Sequence, residues 1–430
     1  MTNKNLLFRL LLIIGLITLS SCNGTASLIG SSPRINSEAT LQKPYLILVS
    51  LDGFRWDYVK RFNPPHLIDF IKNGVQAESL IPSFPSKTFP NHYTIATGMY
   101  PDKHGILGNS FYSYEKKETY TIGNREMVED GSFYGGTPIW VQAAKAGMVT
   151  ASYFFVGSEA DVQGIRPTYY YKYDSHVKNE IRVAQAIKWL KLPAKKRPHL
   201  ITMYFSDMDN IGHRFGPNND EELKKGLFAL DSTLGKLFDG VKKTGLPVNI
   251  IIVSDHGMME IPIENYIPVE TVKNDDLYLT IDNGAIVNIH PKNSNQTDSI
   301  YKLLKAKEAG NHFKVYKTKE TPGFEYIPQN KNWGALQIIP DYGYYFSSSK
   351  TIALRKESNR HVFGQHGIDP VHKEMHGIFY AKGPNFKKGY VVPSVKNIHI
   401  YPLMCKILGL DIPTNIDGKL NQLENVLVKD

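Results

Sequence analysis

The chain has 430 residues and carries 50 Lys and Arg against 41 Asp and Glu, a formal net charge of +9. Two cysteines, Cys22 and Cys405, exclude a disulfide-stapled module. The lysines are scattered, as in KLPAKKRPH and NFKKGY, with no basic run interleaved with aromatics, which leaves only a modest pull toward anionic substrates or surfaces.

Residues 1–21 read as a signal peptide: Lys4 and Arg9 precede an apolar run from Leu10 to Leu19, too short to span a bilayer permanently. Small residues then lead into Cys22, and LSSC resembles the cleavage site of a bacterial lipoprotein. That resemblance implies an exported protein held at a membrane by lipid on Cys22, on the periplasmic face or the cell surface. Residues 22–42, rich in Gly, Ser, Thr, Asn and Pro, read as a flexible tether.

Three apolar runs then end in aspartate: YLILVSLDG (45–53), HLITMYFSDMD (199–209) and VNIIIVSDHG (249–257). Continuous apolar runs bounded by polar turns fit strands buried on both faces of a parallel sheet. Helix-like segments lie between them, so the fold class is α/β, with a doubly wound, mostly parallel sheet. Ligands gather beyond the carboxyl ends of such strands, which places the three aspartates on one edge. Residues 259–355 hold shorter alternating runs and read as an α+β insertion that shapes the substrate pocket; 43–258 and 356–430 form the main domain. NIHIYPLMCKILGL reads as a terminal amphipathic helix, and RPTYYYKYD concentrates several of the 25 tyrosines without deciding their use.

In IPSFPSKTFPNHYTIATG, Pro82, Pro85 and Pro90 forbid regular structure before Asn91, which can cap a helix running to Gly98. Thr88 is thereby expected on a stiff loop at a helix N-terminus, where anions are favoured. Asp209 and His213 are spaced to reach one cation, Asp255 and His256 follow a strand, His366 lies in the glycine-bracketed FGQHGIDP, and Asp52 ends the first strand. They form two ligand sets: Asp209, His213 and His366, and Asp52, Asp255 and His256 with the Thr88 oxygen. Mixed carboxylate and imidazole ligands favour zinc over magnesium or calcium, and paired metals suit phosphoryl transfer with Thr88 as nucleophile.

LDGFRWDY, PSFPSKTFPNHYTIATGMYPDKHGILGNSFY, DMDNIGHRFGP, VSDHGM and GQHGIDP resemble the nucleotide pyrophosphatase/phosphodiesterase family of the alkaline phosphatase superfamily. The resemblance runs in order from about residue 45 to 410. It implies an alkaline-phosphatase-type sheet, two Zn2+ per chain and a covalent phosphothreonine at Thr88. It also implies that Asn109 donates to a phosphate oxygen beside the Thr88 N–H, and that Phe89 and Tyr204 hold a nucleobase. The substrate so implied is a small nucleotide or phosphodiester, cleaved to a nucleoside 5'-monophosphate, without sequence-specific nucleic-acid binding. Asp207-Met208 stands where many animal members have Glu-Pro, which weakens any transfer of their substrate preference. Open beside this reading are the same chemistry on a phospholipid or choline-phosphate diester, a phosphonate or a monoester (with Arg55 or Arg166 meeting the extra charge), and a non-catalytic binding lipoprotein. The nucleophile loop has no cysteine, which disfavours a sulfatase.

Overall fold

The computed structural model describes residues 32–358 and 360–429; the expected signal peptide and Cys22 lie outside them. Eight strands form the main sheet: β1 (Tyr45–Leu51), β2 (Val75–Ala77), β3 (Thr150–Tyr153), β4 (Tyr169–Tyr170), β5 (Leu200–Phe205), β6 (Val248–Val253), β7 (Phe379–Lys382) and β8 (Tyr390–Val392). Their order is β8-β2-β7-β6-β1-β5-β3-β4. Only β7 runs against its neighbours β6 and β2, so the sheet is the mostly parallel one expected.

Every residue of β1 is buried, because helices cover both faces. Leu46 and Leu48 point into a core shared with α2 (Thr88–Thr97), α3 (Ile139–Lys145) and α7 (Ile400–Leu408). Tyr45, Ile47, Val49 and Leu51 point into the opposite core, built with α1 (Pro65–Lys72), α4 (Asn179–Leu190) and α6 (Asp220–Thr244). The period-2 alternation of a strand thus divides one apolar run between two layers. Leu51 pairs with Phe205 and Ser50 with Val253, so Asp52 and the loops after β5 and β6 leave the sheet at one edge.

Residues 259–355 contain a four-stranded antiparallel sheet (Tyr278–Asp282, Val287–Pro291, Leu336–Pro340, Phe313–Lys317, in that order) backed by the helix Thr297–Lys305 and packed on its own apolar cluster. The segment is closed by Met259–Pro262 pairing with Val362–Gln365, a few residues beyond the boundary expected at 355.

The earlier part of the tether expected over 22–42 lies outside the described residues, and its later part is packed. Asn36 is buried, its Nδ2 donating to the carbonyls of Ala194 (2.8 Å) and Arg197 (2.7 Å) while its Oδ1 accepts from the Val149 N–H (2.7 Å). A polar composition concealed this, because the packing is done by one asparagine matched to backbone groups far along the chain.

Candidate active site and metal centre

The expected cap at Asn91 is not observed: α2 begins three residues earlier, with Lys87 at the N-cap and Pro90 inside the first turn. Proline is tolerated there because first-turn N–H groups lack helical partners. Asn91 instead ties the preceding loop down, accepting from the Ser83 N–H (2.7 Å) and donating to the carbonyls of Ser83, Pro85 and Lys87. Thr88 therefore occupies the first position of a ten-residue helix. The Phe89 N–H is donated to Asn109 Oδ1 (3.1 Å), and Pro90 has none. The remaining first-turn donor, the Thr88 N–H, has no acceptor among the described residues. Because the Asn109 carbonyl oxygen is engaged, its amide nitrogen is left for the cavity that Asn109 lines.

All the expected ligands meet. Asp209 and His213 lie one turn apart on α5 (Asp207–Phe215), with His213 Nε2 3.4 Å from Asp209 Oδ1. The Asp209 N–H is donated to the Asp52 carbonyl (3.0 Å), which bolts α5 to the end of β1. Gly53 makes this approach possible: its φ is +64°, and a Cβ there would stand 2.7 Å from the Asp209 Cα. His256 Nε2 lies 3.4 Å from Asp52 Oδ1, 3.0 Å from Asp255 Oδ2 and 3.3 Å from Thr88 Oγ1. The rings of His256 and His366 stack at 3.6 Å, and His366 Nε2 is 3.9 Å from Asp209 Oδ1. Ligand atoms of Asp52, Asp255 and His256 fall within 4.8 Å of one another, as do those of Asp209, His256 and His366. His256 thus stands between the two sets rather than in one alone.

Three observations fit this cluster to cations. Asp52 Oδ1, Asp209 Oδ1 and Asp255 Oδ2 are buried without a hydrogen bond, a costly state for carboxylates unless a charge compensates. The Nδ1–H groups of His213, His256 and His366 are donated to the carbonyls of Gly364 (2.8 Å), Gly257 (2.8 Å) and Ser86 (2.9 Å). A carbonyl only accepts, so each proton is held on Nδ1 and each Nε2 lone pair turns to the cluster, the arrangement that orients metal-binding histidines. Finally, burial and the charges of Asp255 and Asp209 push the Asp52 carboxyl well above its usual range. Burial acts the same way on Asp255, but His256 and His92 outweigh it and hold that carboxyl well below its ordinary value. Burial, helped by His256 and Lys87, pushes the His366 imidazole well below its usual range, which keeps it neutral and able to ligate.

Beside the cluster opens a cavity of about 340 Å³. Thr88, Asp52, Asp209, His213 and His366 form its polar end, while Phe89, Phe154, Phe155, Tyr173 and Tyr204 line its apolar walls. Tyr204 also donates its hydroxyl to Asp52 Oδ2 (2.6 Å), so it orients a ligand as well as lining the cavity. Arg55 is held by Asp57, and the Arg166 Nε donates to the Glu159 carbonyl; neither lines the cavity, whereas Arg125 does, paired with Glu159. None of the described lining residues of this cavity comes from 259–355. That segment's contribution comes from behind: Asn283 binds both backbone groups of Ser110 next to Asn109. The Tyr345 hydroxyl accepts a hydrogen bond from Lys87 Nζ and donates one to the His366 carbonyl (3.1 Å).

Sequence reading missed His92, Phe154, Phe155 and Tyr173. His92, one helical turn after Thr88, is fully buried with Nδ1 2.9 Å from the Thr88 carbonyl and 3.2 Å from Asp255 Oδ2. Phe154 and Phe155 follow β3, whose carboxyl end reaches the same edge; its strand carries no terminal aspartate, and so drew no attention.

A mostly parallel, doubly wound sheet with acid and imidazole ligands at its carboxyl edge and a threonine at a helix N-terminus is an α/β fold of alkaline phosphatase type. A family profile described as type I phosphodiesterase / nucleotide pyrophosphatase matches residues 46–369, and the chain belongs to that family. It is 32% identical over 402 residues to mouse ectonucleotide pyrophosphatase/phosphodiesterase family member 1, covering 91% of this chain and 43% of that protein. It is 35% identical over 395 residues to a venom phosphodiesterase of Naja atra, covering 88% and 46%. The chain thus spans about half the length of these relatives. The structure of murine ectonucleotide pyrophosphatase/phosphodiesterase 5, as an inactive threonine-to-alanine variant in complex with AMP, matches with a TM-score of 0.81 at 30% identity, covering 90% of this chain and 100% of that one.

Proposed function

We propose that this protein hydrolyses nucleotide-type phosphodiesters and pyrophosphates and releases a nucleoside 5'-monophosphate. The single observation that carries the reading is the clustering of Asp52, Asp209, Asp255, His256 and His366, with His213 beside Asp209 and the Thr88 hydroxyl beside His256, at the mouth of an aromatic cavity. Asp52, Asp255, His256 and the Thr88 oxygen would hold one Zn2+, and Asp209, His213 and His366 the other, with His256 close to both. Bound there, such cations supply Lewis acidity, making a hydroxyl nucleophilic near neutral pH and offsetting charge on a departing oxygen.

The chain's own groups do the rest. Thr88 Oγ1 attacks phosphorus, forming a phosphothreonine as the bond to the leaving oxygen breaks on the opposite side. Water then cleaves the Thr88 ester and restores the hydroxyl. The Asn109 amide and the Thr88 N–H face the non-bridging oxygens, where charge builds most in the transition state. The ring faces of Phe89, Tyr173 and Tyr204 give the cavity apolar area for a base without fixing which base. In support of a nucleotide, the murine relative of similar fold was captured with AMP.

The test compares thymidine monophosphate p-nitrophenyl ester, bis-p-nitrophenyl phosphate and a p-nitrophenyl monoester. The nucleotide ester should be cleaved fastest, and Thr88→Ala should lower its turnover on the order of 10³-fold or more. Fastest hydrolysis of the monoester would overturn the diesterase reading. The protein is further proposed to be exported and lipid-anchored at Cys22; mass spectrometry of the mature N-terminal peptide decides this.

A further inference from the structure

The stretch from Arg166 to Arg197 holds nine Lys or Arg against two acids, Asp174 and Glu180, and so carries most of the chain's formal +9. In sequence its basic residues look scattered, while its tyrosines cluster in RPTYYYKYD. Folding gathers them at one margin of the main sheet, around the edge strand β4. From Tyr173 at the cavity a continuous ladder of rings runs outward: Phe154 (5.2 Å), Tyr153 (4.9 Å), Tyr171 (4.3 Å), Trp189 (6.0 Å) and Tyr169 (6.2 Å). The Tyr169 hydroxyl donates to the Lys196 carbonyl (3.2 Å), which joins the ladder to the basic loop after α4. Exposed apolar side chains belong to the same segments: Tyr170 (36%), Tyr171 (42%), Ile35 (52%) and Ile181 (53%). Lys178, Lys188, Lys191 and Lys196 are exposed and have no acidic partner among the described residues.

The described chain also begins here. The Ser32 hydroxyl donates to the Arg166 carbonyl, the Thr168 hydroxyl to the Pro33 carbonyl (2.9 Å), and the Asn36 N–H to the Lys195 carbonyl (2.7 Å). Nine residues, 23–31, separate this point from Cys22, a reach of about 32 Å at most. A lipid on Cys22 would therefore tether this margin within that distance of a bilayer.

We propose that the β4 margin is a docking surface for an anionic phospholipid bilayer, with lysines meeting headgroups and Tyr170, Ile35 and Ile181 entering the interface. A base needs an open ring face on which to stack. In the ladder the rings cover one another and present edges and hydroxyls, which suits the wet-apolar boundary of a membrane better than a single-stranded nucleic acid. One acyl chain alone binds weakly, and a polybasic surface is the second signal that makes anchoring stable. The surface shares only Tyr173 and Phe154 with the cavity, and neither is among the lysines or exposed apolar groups that meet the bilayer, so its failure would leave the phosphodiesterase reading standing.

The test uses the mature chain, residues 22–430, carrying Cys22→Ala, which removes the acylation site and leaves out the apolar run of residues 10–19. It should sediment with vesicles of equal parts phosphatidylcholine and phosphatidylglycerol at low salt, not with phosphatidylcholine alone, and be released at high salt. Each lysine near the surface is worth about five-fold in partitioning, so combining Lys188→Glu, Lys191→Glu and Lys196→Glu should weaken binding on the order of 10²-fold or more. Unfolding temperature and hydrolysis of a small soluble ester should not change in that variant. Tyr170→Ser with Ile181→Ser should weaken binding while leaving its salt dependence. Absence of vesicle binding at low salt, equal binding by the triple variant, or tighter binding of a single-stranded oligonucleotide lost in the same variant would each overturn the proposal.

Discussion

Asp52 holds the sharpest conflict at the residue scale. Its carboxylate is buried beside Asp255 and Asp209, and only the Tyr204 hydroxyl relieves it in the protein alone. A carboxyl whose folded value is raised favours the fold when protonated. Its contribution is present below the unfolded value near 4 and is lost as pH rises through the raised folded value. In the metal-free protein Asp52→Asn should therefore raise the unfolding temperature at pH 7, with the gain shrinking toward pH 4. The same variant should lose the thermal stabilisation that added Zn2+ gives the parent protein. Calorimetry with and without metal checks both; a destabilised metal-free variant would show that Asp52 serves packing rather than a cation. Thr88 presents the complementary case, because its role depends on position more than on environment. The first position of α2 leaves its own N–H without a protein acceptor, next to Asn109.

Elements place these residues by a few specific joints. β1, β5 and β6 lie side by side in parallel register, so three loops leave together. The 259–355 segment then braces the Thr88 loop and the His366 loop through one hydroxyl, that of Tyr345, which lies between Lys87 and His366. Lys87 is itself buried, and burial pulls its amine down to about 8. Tyr345→Phe removes this joint while keeping the ring. It should weaken metal retention about 10- to 100-fold, the usual scale for a group that orients a ligand from outside the coordination shell. At saturating metal KM should stay near the parent value, since Tyr345 does not line the cavity. Competition with a chromogenic chelator reads the affinity directly; unchanged affinity would mean that the segment is bracing nothing. Beyond Phe89 and Tyr204, the aromatic walls come from a different source, the chain after β3 and after the edge strand β4.

For the whole molecule, the folded state concentrates three uncompensated carboxylate oxygens at one sheet edge. Cations bound there should stabilise the entire fold, by about 4 kcal/mol at a thousand-fold excess over Kd. Chelator should lower the unfolding temperature as well as activity, and Zn2+ should restore both. The metal-dependent part should diminish as pH falls, because protons compete for carboxylate oxygens and for the Nε2 atoms of His213, His256 and His366. Thermal shift against pH, with and without chelator, measures this; an increment independent of pH would point away from these ligands.

The amino-acid sequence alone determined the layered sheet, the strand-end aspartates and the proline-stiffened loop that carries Thr88. Those features are written locally, in apolar runs that stop at Asp and in prolines clustered before a helix. It did not disclose where α2 starts, since Pro90 is as acceptable inside a first turn as outside one. Nor did it disclose that 259–355 stands behind the site, or that Tyr173, Phe154 and Phe155 form its wall. Those depend on which loops meet across the sheet and which side chains find partners hundreds of residues away. Such meetings are fixed by packing, for which a single chain read in order carries no local mark.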